Sequence, residues 1–410
     1  MSDTPAPESP APDEAAHRRA FVSFIAADTL FSCAEDIIVV AVGWLVYIKT
    51  QSTFAVGMIG LAGFAPSILL SLFTGLATDR FDRRLVLAIC GAGLTTGAVM
   101  LCIAAQRDAV WPVYAIVFFI GIAKAFLGPV SKALVPNLVR PGELTRGLAL
   151  ANSFGGTARL MAPALGGVLY LLGPVAPFLA AVVAAGAGVV CCIGIGRRPP
   201  ENAMSNMKWS TLVAGFVFIW SAPVVMAAMG LDLAAVLLGG ATALMPYFAQ
   251  EIFHAGPWAL GMMRTAPAIG GLLISFGLAY WPLRRWAGPT LLVVVALYGL
   301  ATIGFGLSTN LFVALGFLAI LGASDSVSML VRQSLVQANT PDAMRGRVSA
   351  VHTLIAGASG ELGEFESGLL SAGIGVVPCI VVGGAAAVIA AALFAILVPE
   401  LRRTDRVERV

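Results

Sequence analysis

Apolar runs long enough to cross a lipid bilayer recur along the whole chain, and they constrain its fold more than any other feature. A transmembrane helix needs about 20 predominantly apolar residues. Of the 410 residues, 59% are apolar and only 11% are charged, against roughly a quarter charged in a soluble domain. The sequence therefore excludes a water-soluble globule and predicts an all-α polytopic membrane protein.

Twelve segments have the length and composition of transmembrane helices. They predict an N-terminal six-helix bundle at 21–196 and a C-terminal six-helix bundle at 211–398, joined by a polar cytoplasmic linker at 197–210. We expect a disordered tail at 1–20, a cytoplasmic tail at 399–410, and an apolar stretch before the seventh segment that lies partly along the membrane interface. The twelve segments are 21–48, 54–77, 85–105, 110–127, 147–172, 175–195, 223–248, 260–281, 289–307, 311–330, 348–370 and 376–398.

Basic residues alternate between the connecting loops, and this alternation predicts the orientation. Lys and Arg are retained on the cytoplasmic side of short loops. The loops of one side carry little beyond Lys49 and Arg107, so we predict a multi-pass protein of the cytoplasmic (inner) membrane with both termini cytoplasmic. The basic residues of the other side are Arg18, Arg19, Arg80, Arg83, Arg84, Lys132, Arg140, Arg146, Arg197, Arg198, Lys208, Arg284, Arg285, Arg345 and Arg347, together with Arg402, Arg403, Arg406 and Arg409 of the C-terminal tail.

An internal repeat with a period of about 200 residues relates the two halves. The stretch Gly75-Leu76-Ala77, followed by Arg83-Arg84, recurs as Gly277-Leu278-Ala279, followed by Arg284-Arg285. Parallel repeats of this kind enclose a site at the bilayer midplane, which is reached from either side by rocking one bundle against the other. The sequence thus predicts two pseudo-symmetric bundles around a central site.

Charged residues lie inside the predicted helices, where each costs at least about 2.5 to 3.5 kcal/mol on insertion scales. They should therefore face an aqueous cavity or a partner of opposite charge. A carboxylate beside a cation can exchange its proton as the conformation changes, which is the chemistry of a proton-coupled carrier. The proton-coupling candidates are Asp28, Glu35, Asp36, Glu361 and Glu364, and the substrate-cavity candidates are Lys124, Arg159, Asp232, Arg264 and Asp325.

Alternative interpretations of these charges remain open. Some pairs could hold helices together, and His352 could relay protons or simply end a helix. The cations Lys124, Arg159 and Arg264 could attract an anionic or catechol-like solute. Protons or another ion such as sodium would drive transport, and a carrier of two halves can work as a monomer.

Other function classes are disfavoured. A membrane-embedded enzyme would need a nucleophile with its base or a metal set, whereas the three histidines are scattered; we predict no cofactor, no metal and no catalytic residue. The six cysteines lie in apolar runs and are expected to be small buried hydrophobes. A net charge of +3 gives no reason to expect a nucleic-acid partner, and a sensor would need an attached signalling domain.

The segment from Gly75 to Arg84 resembles the signature loop of the major facilitator superfamily. The resemblance implies the twelve-helix major facilitator fold and a cytoplasmic gate motif in which Asp79 faces the start of the eleventh segment, near Arg345 and Arg347. One position departs from the family pattern, since Asp82 stands where glycine is usual. The predicted gate residues are Gly75, Asp79, Arg80, Arg83 and Arg84.

Pro163, Gly166 and Gly167 are similar to the end of the family's antiporter motif, with Ala162 at a usual glycine. The stretches that follow Pro141 and Pro341 resemble the branch of the superfamily that contains the enterobactin exporters. The resemblance implies a secondary active transporter working by alternating access, a proton-coupled exporter (antiporter) of a small organic molecule such as a siderophore or drug. Proton-coupled uptake and lipid flipping are the alternatives.

Overall fold

The computed structural model describes residues 14–139, 142–196, 209–281 and 286–404, and these are helical except for short turns. In lipid, every backbone N–H and C=O must be satisfied internally, so long helices are the expected form for these apolar segments. The first half contains α1 (Glu14–Thr50), α2 (Thr53–Arg80), α3 (Arg83–Ala105), α4 (Trp111–Leu138), α5 (Leu144–Leu169) and α6 (Ala176–Cys192). The second half contains α7 (Trp209–Ser221), α8 (Pro223–Leu238), α9 (Met245–Tyr247), α10 (Pro257–Tyr280), α11 (Ala287–Leu307), α12 (Leu311–Ala338), α13 (Asp342–Ile374), α14 (Val376–Leu397) and α15 (Pro399–Arg403).

Ten helical segments of the described chain are long and apolar enough to cross a membrane. The two further spans of the twelve-helix fold, α5 and α13, are long but more polar. Both lie between the halves, where α5 packs against α10 and α13 packs against α2. Their lower hydropathy follows from this position, because these helices face the partner bundle and the central cavity over much of their surface rather than lipid.

The seventh span is broken, whereas the sequence predicted one helix over 223–248. The helix α7, which precedes this span, ends at Ser221 just before Pro223. Within the span, α8 ends at Leu238, before the pair Gly239-Gly240. A proline removes a backbone donor and two adjacent glycines weaken a helix. The span continues as a 3₁₀ turn (Thr242–Leu244), α9 and a π-helical turn (Phe248–Ile252).

Helices extend into both predicted tails. Contrary to the expected disorder over 1–20, α1 begins at Glu14, and its first turns pack against the N-terminal bundle through buried Ala20 and Phe24. After the last span, α15 folds back so that the Gly288 N–H donates to the Thr404 carbonyl oxygen at 3.1 Å. Residues 1–13, 197–208 and 405–410, which carry most of the predicted tails and linker, lie outside the described residues.

The helix ends define two faces of the bundle. On the face that holds the start of α1, Ser23 lies against Gly194 in the 3₁₀ turn that follows α6, and Arg83 at the start of α3 reaches Asn137 at the end of α4. We call this the terminus face. On the other side, which we call the opposite face, the Tyr114 hydroxyl donates to the Ala55 carbonyl oxygen at 2.9 Å.

Two equivalent glycine contacts close the halves together toward the opposite face. A Cβ added at Gly57 of α2 would lie 3.1 Å from the Cα of Gly368 on α13, and one added at Gly167 of α5 would lie 3.0 Å from the Cα of Gly261 on α10. The internal repeat relates Gly57 to Gly261 and Gly167 to Gly368, so each contact is the counterpart of the other. This correspondence confirms the predicted pseudo-symmetry. Toward the terminus face the same helices separate, since added Cβ atoms at Gly155, Gly156, Gly346 and Gly357 would meet nothing within 4 Å in the part of the chain that the structure describes.

Candidate functional site

A cavity of about 370 Å³ lies between the halves at the level where they begin to separate. Its charged lining comes from Asp36 of α1, Arg159 of α5 and Arg264 of α10, so both halves contribute. Tyr298 of α11 adds a hydroxyl, and apolar side chains complete the walls. A mixed lining of this kind suits a small organic molecule that carries polar groups.

Two ion pairs lie beside this cavity. The Nζ atom of Lys124 on α4 is 3.8 Å from Oε1 of Glu361 on α13, which joins the two halves. Within the second half, an Arg264 guanidinium nitrogen is 3.9 Å from Oε1 of Glu364. Both separations exceed the 2.7 to 2.9 Å of a charge-assisted hydrogen bond, so these ions attract each other without being fixed by direct bonds.

The carboxylates of α1 face the same cations. Glu35 lies near enough to Lys124 and Arg159 for their charges to act on its carboxyl group. Asp36 experiences the charges of Arg159, Lys124 and Arg264, and its Oδ2 atom is buried without a hydrogen-bond partner among the described residues. The structure therefore gathers Glu35, Asp36, the two ion pairs and Arg159 into one central charge cluster. Asp28 lies on the same helix, and its Oδ1 atom accepts a 2.6 Å hydrogen bond from the Ser131 hydroxyl.

Asp232 and Asp325 occupy different surroundings. Asp232 is only 7% exposed and is paired with Arg332 inside the C-terminal bundle, and Arg332 Nε donates to His352 Nε2 at 3.2 Å. The structure thus places Asp232 in a separate network rather than with the central charge cluster. Asp325 is exposed on α12, within electrostatic reach of Tyr298 on the cavity wall.

Three partners in these contacts were missed by the sequence interpretation. Arg332 lies beyond the predicted tenth segment at 311–330 and was therefore not counted among the intramembrane charges, but α12 continues to Ala338. Ser131 is uncharged and lies beyond the predicted fourth segment at 110–127, although α4 continues to Leu138. Tyr298 is uncharged and lies inside a predicted apolar segment, so it gave no signal either. The offset of the repeat could have identified Ser131 and Arg332 as equivalent positions.

The predicted gate motif is described only in part, since the surroundings of Gly75 and the side chain of Asp79 lie outside what the structure describes. Arg80 ends α2 and is exposed, and Arg84 begins α3. Arg83 is buried and donates to the Ala133 carbonyl oxygen at 3.1 Å and to Asn137 Oδ1 at 2.7 Å, which ties α3 to α4. Arg345 pairs with Asp342 at 2.9 Å on its own helix.

The departure at Asp82 has a structural explanation. Its φ is −58°, an ordinary value for any residue, and its side chain accepts a 2.9 Å hydrogen bond from the Arg84 N–H as the N-cap of α3. Asp is among the preferred residues at this position. The loop therefore needs no glycine here.

The antiporter-like residues make the close contacts of α5. A Cβ at Gly166 would lie 3.3 Å from the Ile37 Cα of α1, while Gly167 meets Gly261 of α10. The carbonyl oxygen of Pro163, one turn before Gly167 on the same helix face, also lies against Gly261. These three residues thus position α5 between α1 and the C-terminal half, which a purely structural role also explains.

Comparison with known proteins agrees with this architecture. The family model of the Major Facilitator Superfamily matches residues 24–364. An enterobactin exporter of Citrobacter koseri is 28% identical over 379 residues, covering 89% of this chain and 88% of its own. A multidrug efflux pump, Tap, of Mycobacterium tuberculosis is 25% identical over 394 residues, covering 92% and 93%.

Solved structures share the fold. A bacterial homologue of the human lysosomal transporter Spinster, in an inward-facing and unoccupied conformation, superposes with a TM-score of 0.73 at 14% identity, covering 95% of this chain and 98% of that one. The nucleoside transporter NupG superposes with a TM-score of 0.73 at 14% identity, covering 92% and 98%. With its twelve-helix fold and a family match across most of its length, the chain belongs to the Major Facilitator Superfamily and is a multi-pass membrane transporter rather than an enzyme.

Proposed function

We propose that the protein is a proton-coupled exporter of a small organic molecule, with its terminus face in the cytoplasm. The observation that carries the proposal is the Lys124 to Glu361 pair, because it links the two halves at the central cavity. The two relatives named as exporters support the direction of transport. The asymmetry of basic residues supports the orientation.

Rocking of the halves and protonation act on the same ion pair. If Glu361 takes up a proton, it loses its attraction to Lys124, and one link between the bundles at this level disappears. If the bundles separate at this level, the carboxylate loses its cation and binds a proton more readily. Conformation and proton occupancy are therefore linked through one pair, as alternating access with proton exchange requires.

The balance of charges favours antiport of a solute with positive charge or hydrogen-bond donors. The central charge cluster and Asp28 together contain more carboxylates than cations, so some carboxylates remain for protons when every cation is paired. A solute that offers donors competes with those protons, which gives antiport. An anionic solute would instead compete with carboxylates for the cations and favour proton uptake in the same direction. The carboxylates are Asp28, Glu35, Asp36, Glu361 and Glu364, and the cations are Lys124, Arg159 and Arg264.

A liposome assay tests the proposal. The purified protein is reconstituted with a pH-sensitive dye in the lumen, a pH gradient is imposed, and ethidium, 2,3-dihydroxybenzoate or benzoate is added. We expect solute-dependent proton movement opposite to the solute, reduced at least tenfold by Glu361→Gln. Glu143→Gln is the matched control, because Glu143 is exposed and makes no side-chain cap bond to any residue that the structure describes.

The other outcomes are equally informative. Proton movement in the direction of the solute would make the protein an uptake symporter. Solute transport at the same rate with and without a pH gradient would show that protons are not the coupling ion. Accessibility of cysteines introduced at Arg18 and Arg107 to a membrane-impermeant maleimide in intact cells checks the orientation, and labelling at position 18 from outside would reverse it.

A further inference from the structure

The Asp232–Arg332 pair of the C-terminal bundle has a counterpart at the equivalent place in the N-terminal bundle. Asp28 precedes Asp232 by 204 positions, the same offset that relates Gly57 to Gly261. Ser131 precedes Arg332 by 201 positions, the offset that relates Gly167 to Gly368. In both halves the acid of the first span therefore meets a residue at one matched position of the fourth span.

The Asp232–Arg332 pair of the C-terminal bundle is held in its charged form by burial. Asp232 and Arg332 are 7% and 4% exposed, and Arg332 is held further by its hydrogen bond to His352. A proton on Asp232 would leave the guanidinium buried without its counter-ion, which is strongly unfavourable. This network fixes α8, α12 and α13 to one another, and its carboxylate stays ionised.

The N-terminal version has a hydroxyl where the C-terminal one has a guanidinium. Ser131 donates to the Asp28 carboxylate at 2.6 Å, and a hydroxyl can equally accept a hydrogen bond from a carboxylic acid. The same geometry therefore satisfies Asp28 with or without a proton. The charged groups that act across this site are Arg159 of α5 and, two turns along α1, Glu35.

The position of Asp28 gives it access to protons from one side. Seven residues of helix place it about 10 Å nearer to the terminus face than Glu35. It is partly exposed, in the part of the molecule where the halves diverge. A proton can therefore pass between the solvent of the terminus face and this carboxylate before it reaches the central charge cluster.

We propose that Asp28 and Ser131 form a proton-exchange site on the terminus-face side of the carrier, and that the Asp232–Arg332–His352 network is its permanently charged structural counterpart. The proposal rests on proton coupling as the proposed function. It assigns different roles to two acids that the repeat places at equivalent positions. A proton taken up on Asp28 forms a carboxylic O–H that donates to Ser131 Oγ, and its release restores the bond in the observed direction.

Infrared difference spectroscopy tests the site without a solute. The full-length protein in lipid is titrated with acid, and the C=O stretch of protonated carboxyls is followed. Subtraction of the Asp28→Asn spectrum from the wild-type spectrum is expected to leave one protonated-carboxyl band, which Ser131→Ala shifts in frequency. The double variant Asp232→Asn/Arg332→Gln is expected to retain this band. A difference spectrum without a carboxyl band would overturn the proposal.

Transport provides the second measurement, in the liposome assay with ethidium and 2,3-dihydroxybenzoate. Asp28→Asn and the conversion Ser131→Arg are each expected to reduce solute-coupled proton flux at least tenfold, while Asp28→Glu restores it to within about threefold of wild type. Coupled flux in Asp28→Asn at the wild-type level would overturn the proposal and leave the proposed function standing. Absence of coupled flux in the wild type would contradict both the proton-exchange site and the proposed function.

Discussion

Gly60 of α2 lies directly against Glu364 of α13, so that an added Cβ would stand 3.3 Å from both the Cβ and the Oε2 atom of the glutamate. The carboxylate of Glu364 is at the same time 3.9 Å from Arg264. One side chain thus belongs to both the glycine contact that closes the halves and the central charge cluster. A change at Glu364 would therefore affect both the packing of α2 against α13 and the charges beside the cavity.

A larger side chain at Gly60 should open the closed face. We expect Gly60→Leu to separate α2 from α13 near Glu364, because the space beside the carboxylate does not admit a branched side chain. Spin labels on α2 and α13 near the opposite face should show a longer distance in this variant by double electron–electron resonance. Gly316→Leu on α12 is the control, since Gly316 is exposed and an added Cβ would meet nothing within 4 Å among the described residues; equal effects of both changes would contradict the expectation.

The two helices should also be linkable by a disulfide. The hydroxyls of Thr53 and Ser371 lie 2.8 Å apart, so cysteines at these positions in a background without the six natural cysteines should form a bond under mild oxidation. The bond holds the opposite face closed. We therefore expect transport to fall at least tenfold on oxidation and to recover on reduction. Failure of the pair to cross-link would mean that the closed state is rare in the membrane.

The buried pair in the C-terminal bundle should make the single substitution more destabilising than the double substitution. Asp232→Leu leaves the Arg332 charge unpaired, and loss of one partner of a buried pair costs about 3 to 5 kcal/mol. The double variant Asp232→Leu/Arg332→Met removes both charges and should recover most of that loss. Thermal unfolding in detergent checks the order of stabilities, and a double variant less stable than the single one would contradict it.

The link between the halves should be weak. Lys124 and Glu361 are 46% and 32% exposed, and exposed pairs contribute roughly 0.2 to 1 kcal/mol in double-mutant cycles. We expect the cycle of Lys124→Met and Glu361→Gln to change ethidium affinity by a coupling factor of no more than about five. A much larger coupling would mean that the pair is a fixed structural bond and does not open during transport.

The sequence by itself determined the architecture of this protein. The length and spacing of apolar runs require many membrane-spanning helices, because lipid offers no partner for backbone polar groups. The repeat of Gly75 to Arg84 at Gly277 to Arg285 is visible without a structure, and so is the departure at Asp82. The pair Gly239-Gly240, which ends α8 inside the seventh span, is also visible in the sequence. The prediction of one helix over 223–248 did not take it into account.

Only the tertiary structure decided what each intramembrane charge faces. Asp28 and Asp232 look alike in sequence, since each is an acid in the first span of its half, yet one meets Ser131 and the other Arg332. Glu361 finds Lys124 from the other half. These partners lie on helices far apart in the chain, and their approach is set by how helices pack rather than by any local pattern. Local patterns thus set which segments become helices, and packing between distant segments sets which charges meet.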